Sequence, residues 1–302
     1  MSVFRIIVFD GGGIRGALST RIFKRIYNRY PDILEHTDLF AGTSTGALIA
    51  LALASGKDGN YVDNLYNYET IKGIFSPAHI SLFRPKFSNK NLKKMILSVF
   101  PENLTLGDLD KYVFIPSFNV KGFSSDNWQS VFFNNLSHGS TYSSKVVDVA
   151  LATSAAPTYF PSYKNFIDGG VIVNNPTAAS MISAMKLLKP RHALADFRIL
   201  SIGTGSTLNQ IKSNTSSWGA LQWMISPTCN VKTPLVSILL NENPLEDLYC
   251  RELMGSNYFR INPILKYKIP LDDYSKVPLL KDAVDNLDLS ETFKFIEEHF
   301  LR

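Results

Sequence analysis

A serine stands between two glycines in Gly42-Thr43-Ser44-Thr45-Gly46, after the apolar run Leu39-Phe40-Ala41 and before the helix-forming stretch Ala47 to Ala54. Strand, Gly-x-Ser-x-Gly and helix in that order is the sequence form of a nucleophile elbow, which lifts a serine hydroxyl clear of the backbone at the tip of a sharp turn. Glycines two residues to either side let neighbouring chain pass close to that tip. The helix that follows aims its unpaired N–H groups back at it. A glycine-rich turn with a capping serine would look the same, so the rest of the chain decides.

A serine nucleophile needs a base. Of the five histidines, His36, His79 and His138 precede the acidic block Asp168-Gly169-Gly170, and only His192 and His299 follow it. His192 lies in the polar stretch Lys189-Pro190-Arg191-His192 and His299 near the end of the last helix, so both read as surface residues. Asp168 ends the apolar run Tyr163 to Ile167 and precedes two glycines, a way of presenting a carboxylate at a sheet edge. It becomes the candidate base of a Ser44–Asp168 dyad. A carboxylate is intrinsically weak in that role, so burial is expected to raise its pKa towards the working pH.

Upstream, Asp10-Gly11-Gly12-Gly13-Ile14-Arg15-Gly16 follows the apolar run Val3 to Phe9. Successive glycines let consecutive N–H groups point into one concavity. Donors facing a developing oxyanion lower the barrier by about 2.7–4 kcal/mol each, which makes Gly11, Gly12 and Gly13 candidate oxyanion-hole residues. The same glycines match the dinucleotide fingerprint, which wants an acid at the end of the second strand. Here Glu35 and Asp38 precede that strand and Ser44 occupies the acid's place. A nucleotide-binding regulator is the rival reading from another class. Arg15, at the lip of the loop, can hold a substrate phosphate or pair with a surface acid.

The elements that must position these residues open as strand–helix–strand–helix: Val3 to Phe9, Ala17 to Tyr30, the strand near Leu39, and the helix after the elbow. Ser55 to Leu104 reads as a helical insertion, with helical spacing at Tyr61 to Tyr66 and Asn89 to Phe100. Tyr112 to Val120 and Trp128 to Phe133 read as strands joined by a turn. The aromatic side chains dense between Tyr61 and Phe133 fill either core or an acyl-chain pocket. Ser143 to Leu151 is a short helix, a helix ends at Leu188, and Phe197 to Ile202 is a strand. Beyond Gly205, Trp218 to Ile225 is either a lipid-docking or lid segment or an internal helix packed on the sheet. Thr233 to Gly255 is a helix pair, Tyr258 to Ile261 an edge strand, and Leu289 to Leu301 a closing amphipathic helix.

With 302 residues, 45% of them apolar and 19% charged, and a mean hydropathy of zero, the composition is that of a globular protein in water. The net charge of +5 and pI near 9.0 form no dense basic block. Such a balance favours anionic surfaces or phosphate-bearing ligands slightly. Cys229 and Cys250 lack metal-ligand spacing, and a reducing compartment is the default. Arg5 within the first apolar run marks a buried strand and not a signal peptide. No run approaches the ~20 apolar residues of a spanning helix.

The glycine loop from Asp10, the elbow at Ser44 and Asp168-Gly169-Gly170 together resemble the patatin-like phospholipases. Ala152 to Pro161, Asn174-Asn175-Pro176 and Ser201-Ile202-Gly203-Thr204-Gly205 extend the resemblance, in the same order, over about residues 3 to 205. It implies an α/β class, three-layer α/β/α fold with a mainly parallel central sheet and a helical cap. One domain, 1–302, would hold a motif-bearing core and a C-terminal helical extension, 206–302. The implied activity is hydrolysis of membrane phospholipid esters by Ser44 and Asp168, with an oxyanion hole around Gly12 and Gly13 and no metal or cofactor. Acyl transfer to another lipid alcohol is the alternative. Some bacterial members are anti-phage effectors activated by cyclic oligonucleotides, a role a compact, signal-free chain would suit, although no residue here points to a nucleotide site. The expected partners are a phospholipid membrane, touched peripherally from the cytoplasm, and a cyclic oligonucleotide activator; a homo-oligomer is left open, and no DNA or RNA is expected.

Overall fold

In the computed structural model, which describes residues 3–79, 83–123, 126–187, 193–206, 210–240 and 244–302, the strands are β1 (Phe4–Phe9), β2 (Leu39–Gly42), β3 (Tyr112–Asn119), β4 (Gln129–Asn134), β5 (Phe166–Asp168), β6 (Phe197–Ile202) and β7 (Tyr258–Ile261). Among the described residues they form one sheet in the order β4-β3-β2-β1-β6-β7, with β5 also on β3. β1, β2, β3, β6 and β7 are mutually parallel where they pair, whereas β4 and β5 run antiparallel to β3.

Strand periodicity divides β1 between two cores. Ile7 and Phe9 enter one apolar cluster with the helices Gly16–Arg29, Thr45–Ala54 and Val146–Thr153. Phe4, Ile6 and Val8 enter the other, against the helices Thr177–Leu187 and Pro244–Met254. A sheet covered on both faces needs apolar residues at successive positions, which is why β1 shows no polar alternation. The Thr45–Ala54 helix is apolar around its circumference and almost wholly buried, as a helix in the middle of a core must be. This is the three-layer arrangement the motifs imply.

The sheet brings two distant segments to one point. β4 occupies one edge of β3 from Phe114 to Asn119, so β2 and β5 share the other. β2 pairs with the first part of β3, up to Phe114, and β5 with the last part, Ser117 to Asn119. Because β2 is parallel and β5 antiparallel to β3, they run towards each other. The elbow leaving β2 and the aspartate ending β5 therefore meet head-on.

Three expectations are corrected. The strand expected over Tyr163 to Ile167 begins only at Phe166: Tyr163 and Phe166 exchange backbone hydrogen bonds around Lys164 (φ 49) and Asn165 (φ 65). That is a two-residue hairpin turn with both central residues left-handed. The C-terminal part is more than a helical extension, since β7 joins the sheet beside β6 and the helix Val277–Asp285 packs on Gly16–Arg29. Trp218 to Ile225 is not an internal helix. Only Ala220–Met224 is helical there, none of its residues is buried, and the Trp218 and Trp223 rings meet edge to face. No helix among the described residues is long and apolar enough to cross a membrane.

Candidate active site

Ser44 sits at φ 52, ψ −118, a conformation that costs a non-glycine residue about 1–3 kcal/mol and is held by what surrounds it. The turn is so tight that a Cβ on Gly42 would lie 2.2 Å from the Gly46 carbonyl oxygen, and one on Gly46 2.2 Å from that of Phe9. Both contacts are with backbone that cannot swing aside, so the two glycines of the motif are steric requirements. The Ser44 N–H donates to Thr153 Oγ1 (3.0 Å), and that hydroxyl donates to the Pro116 carbonyl of β3 (2.6 Å). Thr43 Oγ1 donates to the Val173 carbonyl (2.9 Å). The elbow is thus tied both to the sheet and to the segment after Asp168.

Ser44 Oγ donates to Asp168 Oδ2 at 2.6 Å. The other carboxylate oxygen, Oδ1, accepts from the Gly170 N–H at 2.7 Å, and the Asp168 N–H donates to the Ala155 carbonyl at 3.0 Å. Asp168 is 2% exposed. Loss of hydration pushes its pKa up from 3.8 to about 6, against the opposing pull of the bonds from Ser44 and Gly170. The raised basicity expected from the sequence is present, and burial causes it.

Among the described residues, no histidine lines the chamber around Ser44. His36 pairs with Asp32 on a surface helical turn, the His138 ring lies tilted against Tyr142, and His299 stacks on Phe295. His192 lies outside the described residues.

The glycine loop needs one correction. The Gly11 N–H donates to the Asn174 carbonyl (3.0 Å), so it has no proton left for an oxyanion. Gly12 and Gly13 do line the chamber, and their N–H groups have no acceptor among the described residues. Nor has the N–H of Thr45, the first residue of the helix after the elbow. Gly12, Gly13 and Thr45 therefore line the chamber together with Ser44 and carry N–H groups without an acceptor among the described residues. A Cβ on Gly13 would meet the Leu271 carbonyl oxygen at 2.2 Å, so the segment at Leu271 covers the loop on that side. Asp38, which the dinucleotide reading would send to a ribose, accepts instead from the Arg5 N–H.

Arg15 is not at an open lip. It is 5% exposed, donates to the carbonyls of Gly12 and Gly205 (both 3.4 Å), and lines a second cavity of about 430 Å³. The loop is anchored from the opposite side. Asp10 is clamped by Arg260 of β7 through Oδ2–Nη2 (2.6 Å) and Oδ1–Nη1 (3.1 Å), and Nη1 also donates to Ser201 Oγ (2.7 Å). Both side chains are at most 2% exposed.

The chamber running inward from Ser44 has a free volume of about 80 Å³. Its walls come largely from the inserted helices, through Ile71, Phe75, Leu92 and Ile96, with Phe160 from the segment before Asp168. The aromatic-rich region thus divides. Its first half builds the apolar chamber, while Phe114, Phe132 and Phe133 pack on the sheet. Ser154 also lines the chamber, and its buried hydroxyl has no partner among the described residues, leaving it available to whatever the chamber holds.

Sequence reading overlooked Thr153, Asn174, Thr45 and Arg260. Arg260 carried a signal: a lone charge between Phe259 and Ile261 in an apolar strand must be paired if that strand is covered. Thr153 and Asn174 act through contacts with backbone far away in the chain, which no spacing rule reveals.

A family model described as Patatin-like phospholipase matches residues 7–181. Protein teg of Priestia megaterium is 30% identical, covering 99% of this chain and 100% of its own length. CotR of Bacillus subtilis, provisionally named as a sporulation hydrolase, is 29% identical over 99% of each chain. A cGAMP-activated phospholipase of Pseudomonas aeruginosa is 30% identical over 86% of this chain and 78% of that protein.

Proposed function

The chain belongs to the patatin-like phospholipase family, hydrolases of lipid esters, and we propose that it cleaves the acyl esters of membrane phospholipids with a Ser44–Asp168 dyad. The observation that carries the reading is the 2.6 Å bond from a strained serine to a buried carboxylate whose pKa is raised to about 6. In the first half-reaction Ser44 Oγ attacks the ester carbonyl while Asp168 takes its proton. The carbonyl oxygen becomes an oxyanion facing the N–H groups of Gly12, Gly13 and Thr45. Asp168 then returns the proton to the departing alkoxide, the C–O bond breaks, and lyso-lipid leaves an acyl-Ser44. In the second half a water attacks that acyl group with Asp168 as base, releasing fatty acid and restoring the serine. The apolar chamber receives the acyl chain, and the enzyme meets the bilayer from the aqueous side.

The test is hydrolysis of phospholipid vesicles by the full chain, followed by product analysis and a pH profile. Because the base must be ionised, kcat/KM should rise about tenfold per pH unit below pH 6 and level off above it. A profile flat from pH 4 to 8, or release of acyl groups only onto an added alcohol, would contradict the proposal. A cyclic dinucleotide switch is supported by the names of relatives alone, cGAMP-activated phospholipases of which the Pseudomonas aeruginosa protein is one. Adding cGAMP to the same vesicle assay tests it: a rise in turnover supports the switch, and unchanged turnover removes it.

A further inference from the structure

The helices Ala220–Met224 and Pro234–Leu239 lie against each other, and neither contains a charged residue. Pro234–Leu239 is apolar except for Ser237, the pattern of a helix enclosed by a core. It is not enclosed. On its inner side Val236 is buried, as is Leu240, whose N–H donates to the Val236 carbonyl (3.0 Å) and whose side chain lines the Ser44 chamber. Leu235, Ile238 and Leu239, spaced i, i+3 and i+4 along one side of the helix, are exposed. In Ala220–Met224 no residue is buried, and Leu221 and Met224 are exposed. Apolar side chains exposed singly are ordinary. Large ones gathered on two touching, uncharged helices mark a face that binds something.

Three observations say what covers it. The inner side of the same helix is wall of the chamber, so a partner on the outer side lies about 10 Å, one helix diameter, from the space assigned to the acyl chain. An acyl chain leaving a bilayer for Ser44 would then pass along apolar surface and not through water. Trp218 and Trp223, one before the first helix and one within it, are half-buried. An indole combines an apolar body with a polar N–H and suits the headgroup level of a membrane. The absence of charge within both helices means that their insertion desolvates no ion.

We propose that this face is the membrane-docking surface of the enzyme, its exposed side chains entering the headgroup–acyl boundary of a phospholipid bilayer as interfacial helices do. This deepens the hydrolase reading, on which the choice of a bilayer as partner rests.

Leu221, 71% exposed, and Ile238, 54%, protrude most, and neither lines the chamber, so replacing them leaves the fold and the dyad in place. The probe is a vesicle of phosphatidylcholine, which carries no net charge, so that apolar insertion is what co-sedimentation reads. In a Ser44→Ala background of the full chain, Leu221→Asp/Ile238→Asp should bind these vesicles about tenfold or more weakly than the parent, and Leu221→Trp/Ile238→Trp at least as tightly. With Ser44 present, the aspartate variant should lose vesicle hydrolysis in the same proportion but keep its turnover of p-nitrophenyl butyrate, a monomeric ester that needs no docking. Equal vesicle binding by the aspartate variant and its parent overturns the surface. An equal loss on p-nitrophenyl butyrate overturns it too, by assigning the two positions to the site itself. So does a homodimer of the wild type, seen in sedimentation velocity, that the aspartates dissociate, since the face then belongs to a second copy of the chain. Vesicle binding that the aspartates abolish, with no ester turnover by the wild type, would sink the hydrolase reading and leave the docking surface standing.

Discussion

Asp168→Asn is expected to remove ester hydrolysis by about 10²–10⁴-fold, the usual contribution of a positioned general base, and at the same time to stabilise the protein at neutral pH. Asparagine has nearly the same shape and can still accept the Gly170 N–H, but it cannot take the Ser44 proton. The stability effect follows from burial. A carboxyl with an ordinary pKa of 3.8 that is raised to about 6 by folding binds its proton more tightly in the native state. Native stability therefore falls as pH rises from about 4 to about 6 and stays lowered above that. At about 1.36 kcal/mol per pH unit, the gap between 3.8 and about 6 corresponds to a penalty on the order of 3 kcal/mol in the wild type at pH 7. Asparagine never ionises and escapes it. Denaturant melts of both proteins should show the variant more stable at pH 7 and the difference shrinking towards pH 4. An active variant would remove Asp168 from the mechanism, and a variant less stable at pH 7 than at pH 4, relative to wild type, would refute the origin assigned to its basicity.

Arg260→Met should be the most damaging change far from Ser44. Arg260 is the bidentate partner of Asp10, and both are at most 2% exposed. Removing one member of a buried pair leaves the other charge without its counter-ion, at a cost of about 3–5 kcal/mol, whereas removing both with apolar side chains is often near neutral. Urea titration should show that loss for Arg260→Met and recovery of most of it in Asp10→Leu/Arg260→Met. Because Asp10 leads directly into Gly11, the stable double variant should still lose turnover as the donors at Gly12 and Gly13 drift. Equal stability of Arg260→Met and wild type would refute the clamp.

Much of this was readable in advance because its signals are local. The elbow is five consecutive residues whose glycines are fixed because a Cβ on either would lie 2.2 Å from a backbone oxygen. Asp168 could be found because it ends a strand and is followed by two glycines. The meeting of Ser44 and Asp168 was not readable, since it depends on β2 and β5 sharing one edge of β3 in opposite directions. Gly11 was misjudged for the same reason: a run of glycines shows which N–H groups can turn inward, but the Asn174 carbonyl that claims one of them comes 163 residues later. The segment at Trp218 was ambiguous because two tryptophans that pack on each other at the surface leave the same pattern as two that enter a core.

The central claim is that Ser44 Oγ, activated by Asp168, is the nucleophile. Fluorophosphonate labelling of the full chain followed by peptide mass mapping tests it most directly. One adduct, on Ser44, is predicted in the wild type, none in Ser44→Ala, and strongly slowed labelling in Asp168→Asn. An adduct on another serine, or labelling of Ser44 at the same rate without the Asp168 carboxylate, would contradict the account.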